Sequence, residues 1–331
     1  ENKFEKISLN FNQVSVKKIK MISSILKPSN FTSFLNNKLV EGKLNTQIEF
    51  YFNKNNEIDN FITKGSIVDA KINFKKAINF EDTSFTFFAD NTDILISNFL
   101  SKFGPLEIND GDAKIQISPE VLIEANFLSN IKVTNKFNKE FNFISSYLDL
   151  SSLDNLSGKF RNNILVNLDK TYKLKNYNFK SNGKISKAKL NLQNFNDNFL
   201  LNKNLVNIFI KDTEINTSID PNQNKINIKG EYSFHDKIFL KFNLENIIKK
   251  EILKFKINTE LEEKIEIDLI NYVKPKKTIA EVSLELEKFR DNLKFKSIDY
   301  KEGKNSIIIK DLIFQKSKFL NFKKVSIKTF A

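Results

Sequence analysis

The chain has 331 residues, of which 40% are apolar and 28% are charged, and its formal net charge is +13. This apolar content and its regular patterning exclude intrinsic disorder, and the length suits one large domain or two ordinary ones. The absence of cysteine excludes disulfide bonds and thiolate metal sites.

Lysine supplies nearly all of the positive charge, because only Arg161 and Arg290 among the 53 basic residues are arginine. Proteins that read nucleic acid depend on the bidentate contacts of arginine, so no nucleic-acid partner is predicted. Enrichment of Lys together with Asn, Ile and Phe is typical of an AT-rich genome. Attraction of the lysines to an anionic membrane or to phosphate head groups is the alternative.

Strands are predicted along most of the chain, because apolar side chains recur at every second position. Such alternation gives each strand one apolar and one polar face, as in an antiparallel sheet with one wet side. The alternating runs are 7–11, 44–52, 70–74, 113–117, 164–168, 206–210, 226–232, 238–244, 253–257, 265–269, 282–286 and 307–309.

Helical spacing of apolar residues is rare and predicts four short helices. They are expected over 16–26, 31–39, 93–103 and 143–156. The clearest is the third, which Thr92 or Asp93 can cap and which Gly104 and Pro105 end.

Turns are expected to rely on Asn and Asp, because the chain has only 8 glycines and 5 prolines. Predicted turns lie at 109–112, 182–183, 220–224 and 302–303. The first contains the pair Asp110-Gly111, which is the strongest hairpin signal in the chain.

Two stretches of the chain, 42–74 and 158–192, repeat one β pattern. The matched residues include Gly42/Gly158, Lys43/Lys159, Ile48/Ile164, Lys54/Lys170, Asn60/Asn176, Gly65/Gly183, Ile67/Ile185 and Ala70/Ala188. A predicted helix precedes each stretch, so the repeating unit is expected to be a helix, a strand and a hairpin. A repeated sheet unit favours an extended array over a closed globule.

The start of the second repeat places a domain boundary near residue 140. Residues 1–140 are interpreted as a first β repeat region with short helices. Residues 141–331 are interpreted as a second β repeat region that continues the same sheet. No linker rich in Pro, Gly or Ser marks the boundary.

No group of residues predicts catalysis or a cofactor, and the protein is not expected to be an enzyme. The single histidine, His235, is interpreted as a turn residue, because neighbouring Asp236 would point to the other face of a strand. The carboxylates near 109–112 lack the spacing of a calcium loop, so a hairpin is preferred there and no metal site is predicted. The acidic cluster at 260–263 is interpreted as a solvated turn.

Thirty-three phenylalanines make the apolar faces too large to be left uncovered. Helices are too few to cover them, which leaves a sandwich with a second sheet, or an apolar groove filled by a ligand. Such a groove suits acyl chains, which need apolar area and no directed hydrogen bonds. The residues predicted to line it are Ile48, Phe50, Phe52, Ala70, Ile72, Phe74, Ile164, Val166, Leu168, Ala188, Leu190, Leu192, Phe242, Leu244, Phe255 and Ile257.

The layout of strands and glycines resembles the AsmA-like superfamily of bacterial envelope proteins, which includes the YhdP and TamB types of bridge-like lipid transfer protein. The similar features are the Gly-Lys pairs at 42–43 and 158–159, the strands that follow Gly65 and Gly183, and the segment 103–115. The family usually carries an N-terminal membrane anchor, which is not expected within this sequence, and many members are much longer.

This resemblance implies an elongated, curled antiparallel sheet with an apolar groove, located in the periplasm or cell envelope. It also implies a role in phospholipid transport and outer-membrane homeostasis. The expected partners are phospholipid acyl chains, together with a membrane-anchored remainder of a longer chain or partners in the inner and outer membranes. The alternative is a structural sandwich or adhesin-like protein with a dry core.

Overall fold

The computed structural model describes a chain that is almost entirely β-strand. The described residues are 5–23, 36–75, 78–117, 120–134, 153–169, 171, 173–191, 206–267 and 272–330. Their elements are β1 (Lys6–Ser15), α1 (Val16–Ser23), β2 (Leu39–Phe52), β3 (Ile58–Lys75), β4 (Ile78–Ala89), β5 (Asp93–Phe103), β6 (Leu106–Gln116), β7 (Val121–Thr134), β8 (Leu153–Leu168), β9 (Leu174–Asn191), β10 (Asn207–Ile219), β11 (Gln223–Ser233), β12 (Leu240–Lys249), β13 (Ile252–Leu261), β14 (Ile265–Ile267), β15 (Tyr272–Lys274), β16 (Ala280–Phe289), β17 (Asn292–Glu302), β18 (Asn305–Gln315), β19 (Lys318–Asn321) and β20 (Lys324–Lys328).

Eighteen of these strands belong to one large antiparallel sheet that does not close on itself, and β14 and β15 form a separate pair. The predicted mainly β, antiparallel class is therefore confirmed. The chain divides into two compact units. Unit 1 contains 1–132, 136–148 and 159–179, and unit 2 contains 133–135, 149–158 and 180–331. The boundary predicted near residue 140 lies outside the described residues.

The helix predicted over 93–103 is wrong, because these residues form β5. This strand pairs with β4 on one side and with β6 on the other. Asn98 has a φ of 54°, and the bulge there shifts the alternation by one residue. Ile96 and Phe99 consequently lie on the same face, which imitates helical spacing in the sequence.

The other helix predictions have mixed outcomes. The first is confirmed as α1 over Val16–Ser23, with residues 24–26 outside the described residues. Of the helix predicted at 31–39, residues 31–35 lie outside the described residues, 36 and 37 are helical, and Leu39 begins β2. For the stretch 143–156, residues 153–156 belong to β8 and the rest lies outside the described residues.

Two of the predicted turns are confirmed and two are wrong. Strand β10 ends before Asp220, and β17 ends before Gly303, where the chain reverses as predicted. Residues 109–112 instead lie within β6 and residues 182–183 within β9. In β6 a bulge in the pairing with β7 lies between Ile108 and Asp110, directly before the Asp-Gly pair, so this segment bends a strand instead of ending it.

The internal repeat corresponds to two long strand pairs with the same connection, β2–β3 and β8–β9. In the first turn, the amides of Asn55 and Glu57 donate to Asn53 Oδ1 at 2.8 and 3.0 Å. In the second, the amides of Thr171 and Lys173 donate to Asp169 Oδ1 at 2.7 and 3.0 Å. The expectation that Asn and Asp build the turns is confirmed here.

The helix expected before each repeat stays a prediction, because the residues before β8 and most of those before β2 lie outside the described residues, although 36 and 37 are helical. Gly42 lies inside β2 and Gly158 lies inside β8, so neither glycine opens a strand. Gly42 has a φ of 133°, a conformation that side-chain-bearing residues rarely adopt, and it approaches the backbone of Ala70 closely. Gly42 therefore marks a close approach within the sheet.

Bulges place small residues in the most buried positions of the sheet. Asp69, Asp82 and Asp212 have φ angles of 51°, 49° and 47° in mid-strand. The next residue in each case, Ala70, Thr83 or Thr213, is no more than 1% exposed. Because a bulge bends a strand and increases its twist, only small side chains fit at the inside of the bend.

Candidate functional site

A continuous row of aliphatic side chains crosses eight strands of unit 2. Each member is the direct pairing partner of the next, so all of them lie on one face of the sheet. This aliphatic row consists of Ile215, Ile228, Leu244, Ile257, Leu284, Ile298, Ile309 and Val325. With neighbouring strands about 4.8 Å apart, the row is about 34 Å long.

Apolar rows also flank the aliphatic row. On one side, Phe255 pairs with Leu286, which pairs with Phe295, which pairs with Leu312. On the other side the row contains Phe242, Thr259, Val282, Tyr300 and Ile307. These rows together form the apolar face of unit 2.

The apolar face is only partly buried in the middle of the strands. Seven members of the aliphatic row retain intermediate exposure, and Val325 is 41% exposed. Residues that face each other across a packed sandwich lose nearly all of their exposed area. The open character of this face is what distinguishes it from a core.

The opposite face of unit 2 is polar and carries ion pairs between neighbouring strands. Lys225 Nζ lies 2.8 Å from Glu245 Oε1, and Lys254 Nζ lies 3.1 Å from Glu287 Oε1. On the next two strands, β17 and β18, Lys310 Nζ lies 3.1 Å from Asp299 Oδ1. Exposed pairs of this kind contribute little stability, but they mark the face that water covers.

Four of the predicted residues of unit 2 share the apolar face. Leu244 and Ile257 are direct partners within the aliphatic row, and Phe255 and Phe242 lie in the two rows beside it. The described residues do not show a groove along this face. A cavity of about 620 Å³ instead lies among polar residues such as Lys229, and Phe242 is the only predicted residue in its wall.

Four of the residues predicted to line the groove, Ile48, Phe50, Phe52 and Phe74, lie in β2 and β3 of unit 1. Ile48 and Phe50 are partly buried in mid-strand, where Phe50 pairs with Ile7 and with Phe61. Phe52 lies at the end of β2, and Phe74 lies in β3.

Ala70 and Ile72 are not available to a ligand, because they are covered by the chain itself. They are 0% and 8% exposed and pack with Val16 of α1 and with Leu39. In the second repeat, Ile164, Val166 and Leu168 are partly buried on one side of β8, and Leu190 is partly buried in β9. Ala188 is 5% exposed, and Leu192 lies outside the described residues.

A small hairpin, β14–β15, closes one end of the apolar face of unit 2. Ile265 and Ile267 of the hairpin pack against the buried cluster of Tyr272, Ala280 and Tyr300, as does Val282 of the sheet. The Tyr272 and Tyr300 hydroxyls are 2.8 Å apart, and the Tyr272 hydroxyl donates to Glu302 Oε2 at 3.2 Å. Burial raises the pKa of both tyrosines, so both stay neutral hydrogen-bonding groups.

Lys274 anchors this hairpin from a fully buried position. Its Nζ donates to the carbonyl oxygens of Glu262, Glu263 and Pro275 at 2.7, 2.9 and 3.2 Å. Burial lowers the pKa of the Lys274 ammonium, while nearby carboxylates, Glu302 first, raise it. Sequence reasoning missed Lys274, because a lysine in the basic run 274–277 is typical of a solvated loop.

His235 lies in the chain reversal after β11, as expected of a turn residue. Its Nε2 lies 2.8 Å from Oε1 of Glu263, which is 5% exposed, so the solvated turn expected at 260–263 is wrong for this residue. Asp236, its sequence neighbour, is not the partner. Since Glu263 also supplies a carbonyl to Lys274, this contact belongs to the same hairpin anchor.

No protein-family model, no curated protein and no solved structure matches this chain. Within the described residues, no helix has the length and apolar character needed to cross a membrane. The arrangement of the apolar face therefore carries the functional argument.

Proposed function

We propose that the protein is a non-enzymatic, lipid-binding segment of an envelope lipid-transport conduit. The observation that carries this proposal is the unbroken aliphatic row on a partly exposed face of unit 2. Its partner would be the acyl chains of phospholipids, which require apolar contact without directed hydrogen bonds. A periplasmic location and contacts with either membrane are part of the same proposal.

The length of the row supports acyl chains as the ligand. The hydrocarbon core of a bilayer is about 30 Å thick, so the acyl region of one leaflet spans about 15 Å. The row extends about 34 Å by strand spacing, which accommodates more than one such length. All members of the row are aliphatic side chains, so an acyl chain could move along the row without crossing a polar residue.

The alternative is a structural protein whose apolar surfaces cover one another. The closed clusters around Ala70 and around Tyr300 are dry packing of this kind. Each cluster is covered by an additional element, α1 in the first case and β14–β15 in the second, while the aliphatic row keeps its exposure in mid-strand.

Two aspartates in the aliphatic row should abolish lipid retention. We expect Ile257→Asp with Leu284→Asp, which are direct partners, to remove co-purifying phospholipid, because burying two carboxylates against an acyl chain is strongly unfavourable. Native mass spectrometry followed by organic extraction of the same sample measures this loss. The milder pair Ile257→Ser and Leu284→Ser should reduce retention at least several-fold and tests the face if the aspartates impair folding.

The matched control places the same charges on the opposite face of the same strands. Asn258 and Ser283 are direct partners there, so Asn258→Asp with Ser283→Asp should leave lipid retention unchanged. A pure, stable wild-type protein without phospholipid would contradict the proposal and favour the dry structural alternative. Equal loss in both double variants would also contradict it. In unit 1, Phe50→Asp with Val166→Asp extends the test to the predicted residues of the two repeats.

A further inference from the structure

The last strands of unit 2 expose an unusual number of large apolar side chains. Residues 316–330, here called the basic aromatic edge, contain β19 and β20. Six of their side chains are between 41% and 61% exposed, namely Phe319, Leu320, Phe322, Val325, Ile327 and Phe330. Soluble proteins rarely expose contiguous apolar patches of this kind unless the patch contacts another molecule or a membrane.

The basic aromatic edge is also strongly cationic. It contains Lys316, Lys318, Lys323, Lys324 and Lys328, and no aspartate or glutamate follows Asp311 in the chain. On the polar face of the same unit, by contrast, lysines and carboxylates are interleaved, as in the pair of Lys254 with Glu287. Exposed aromatic residues interspersed with lysines are the composition of surfaces that sit at a membrane interface.

Aromatic rings in edge-to-face and tilted contact connect this edge to the apolar face. Phe295 and Phe314 have ring centroids 6.1 Å apart, and Phe314 and Phe319 have centroids 6.2 Å apart. Phe319 and Phe322 continue the series, also at 6.2 Å. The apolar face therefore reaches the exposed edge without a polar interruption.

We propose that the basic aromatic edge docks unit 2 on the surface of an anionic phospholipid bilayer. The phenylalanines enter the interface, and the lysines contact the phosphate head groups. Lysines along an edge strand also oppose its pairing with a second strand edge, which disfavours self-association as the role of this surface. This inference rests on the proposed lipid-binding function. Docking would bring the acyl chains of the bilayer to Phe319 and Phe322, at the end of the aromatic series that leads to the apolar face.

Vesicle flotation with the full chain tests docking directly. We expect binding to phosphatidylcholine vesicles that contain about 30% phosphatidylglycerol and little binding to pure phosphatidylcholine, with a steep decrease on raising salt. Phe319→Ser with Phe322→Ser should reduce binding at least tenfold. Lys323→Ser with Lys324→Ser should also reduce it, by about fivefold for each lysine.

The matched control removes two equally exposed apolar side chains from unit 1. Ile58 and Leu174 are 59% and 57% exposed, and Ile58→Ser with Leu174→Ser should leave vesicle binding unchanged. Absence of binding to anionic vesicles, equal binding to neutral ones, or equal loss in the control would overturn the inference. So would a dimer in size-exclusion chromatography that the Phe319/Phe322 variant dissociates. A protein that floats with anionic vesicles yet retains no extractable lipid would support docking while contradicting the proposed function.

Discussion

Replacing Lys274 by methionine should destabilise unit 2 by about 3 kcal/mol, since three buried carbonyls would each lose a donor. For a unit of this size the loss corresponds to a decrease in Tm of about 10 °C. The loss of stability should be largest in the hairpin β14–β15, because the carbonyls of Glu262 and Glu263 lie just before β14. Thermal unfolding followed by circular dichroism measures the first effect, and hydrogen exchange over Ile265–Ile267 measures the second.

Lys276 provides the control for this prediction. Its side chain is 56% exposed and lies 3.7 Å from Glu263, so Lys276→Met should change stability by less than about 1 kcal/mol. Equal Tm values for the Lys274 and Lys276 variants would show that Lys274 does not anchor the hairpin.

Replacing Gly230 by alanine should also destabilise unit 2, by about 3 kcal/mol. A Cβ atom at this position would lie 2.0 Å from Thr213 Oγ1 and 2.8 Å from Thr213 Cα. The threonine cannot move away freely, because it is 1% exposed and its hydroxyl donates to the Lys211 carbonyl at 2.9 Å. The strands β10 and β11 would have to separate at the bulge. Chemical denaturation of the purified variant measures the change in the free energy of unfolding.

Two further variants separate this steric clash from a general intolerance of glycine replacement. Thr213→Gly in the Gly230→Ala background should recover part of the stability, because it removes the side-chain atoms of the clash. Gly303 has a φ of 54° and open space around it, so Gly303→Ala should cost only about 1 kcal/mol of backbone strain. If Gly230→Ala were no less stable than Gly303→Ala, the close packing of β10 on β11 would be disproved.

The sequence predicted the class of the fold well, because strand alternation depends on local chemistry. The alternating segments 253–257 and 282–286 were predicted as strands, and they form paired strands with Ile257 and Leu284 on the same face. The turn at Asp220 was equally predictable, since its carboxylate accepts from the amides of Asn222 and Gln223.

Bulges account for the main failure in the secondary-structure prediction. Asn98 shifts the alternation of β5 by one residue, and no local signal distinguishes that shift from a helical period. The turn predicted at Asp110-Gly111 was wrong for a related reason, because bulges and turns use the same residue types.

The hairpin anchor could not be predicted, because it depends on contacts between distant parts of the chain. The Tyr272–Tyr300 hydrogen bond joins residues 28 positions apart, and burial of Lys274 follows from the packing of the same hairpin. The sequence also could not separate Ala70 and Ile72 from the exposed apolar positions, because their burial depends on where α1 packs.

Site-specific photocrosslinking tests most directly whether the apolar face binds lipid. A photoreactive phenylalanine analogue would replace Ile257, in the aliphatic row, or Asn258, on the opposite face of the same strand. After expression in a bacterial host and irradiation, the account predicts covalently attached phospholipid at position 257 and none at position 258. Phospholipid attached equally at both positions, or at neither, would contradict the central claim that this face is a lipid-binding surface.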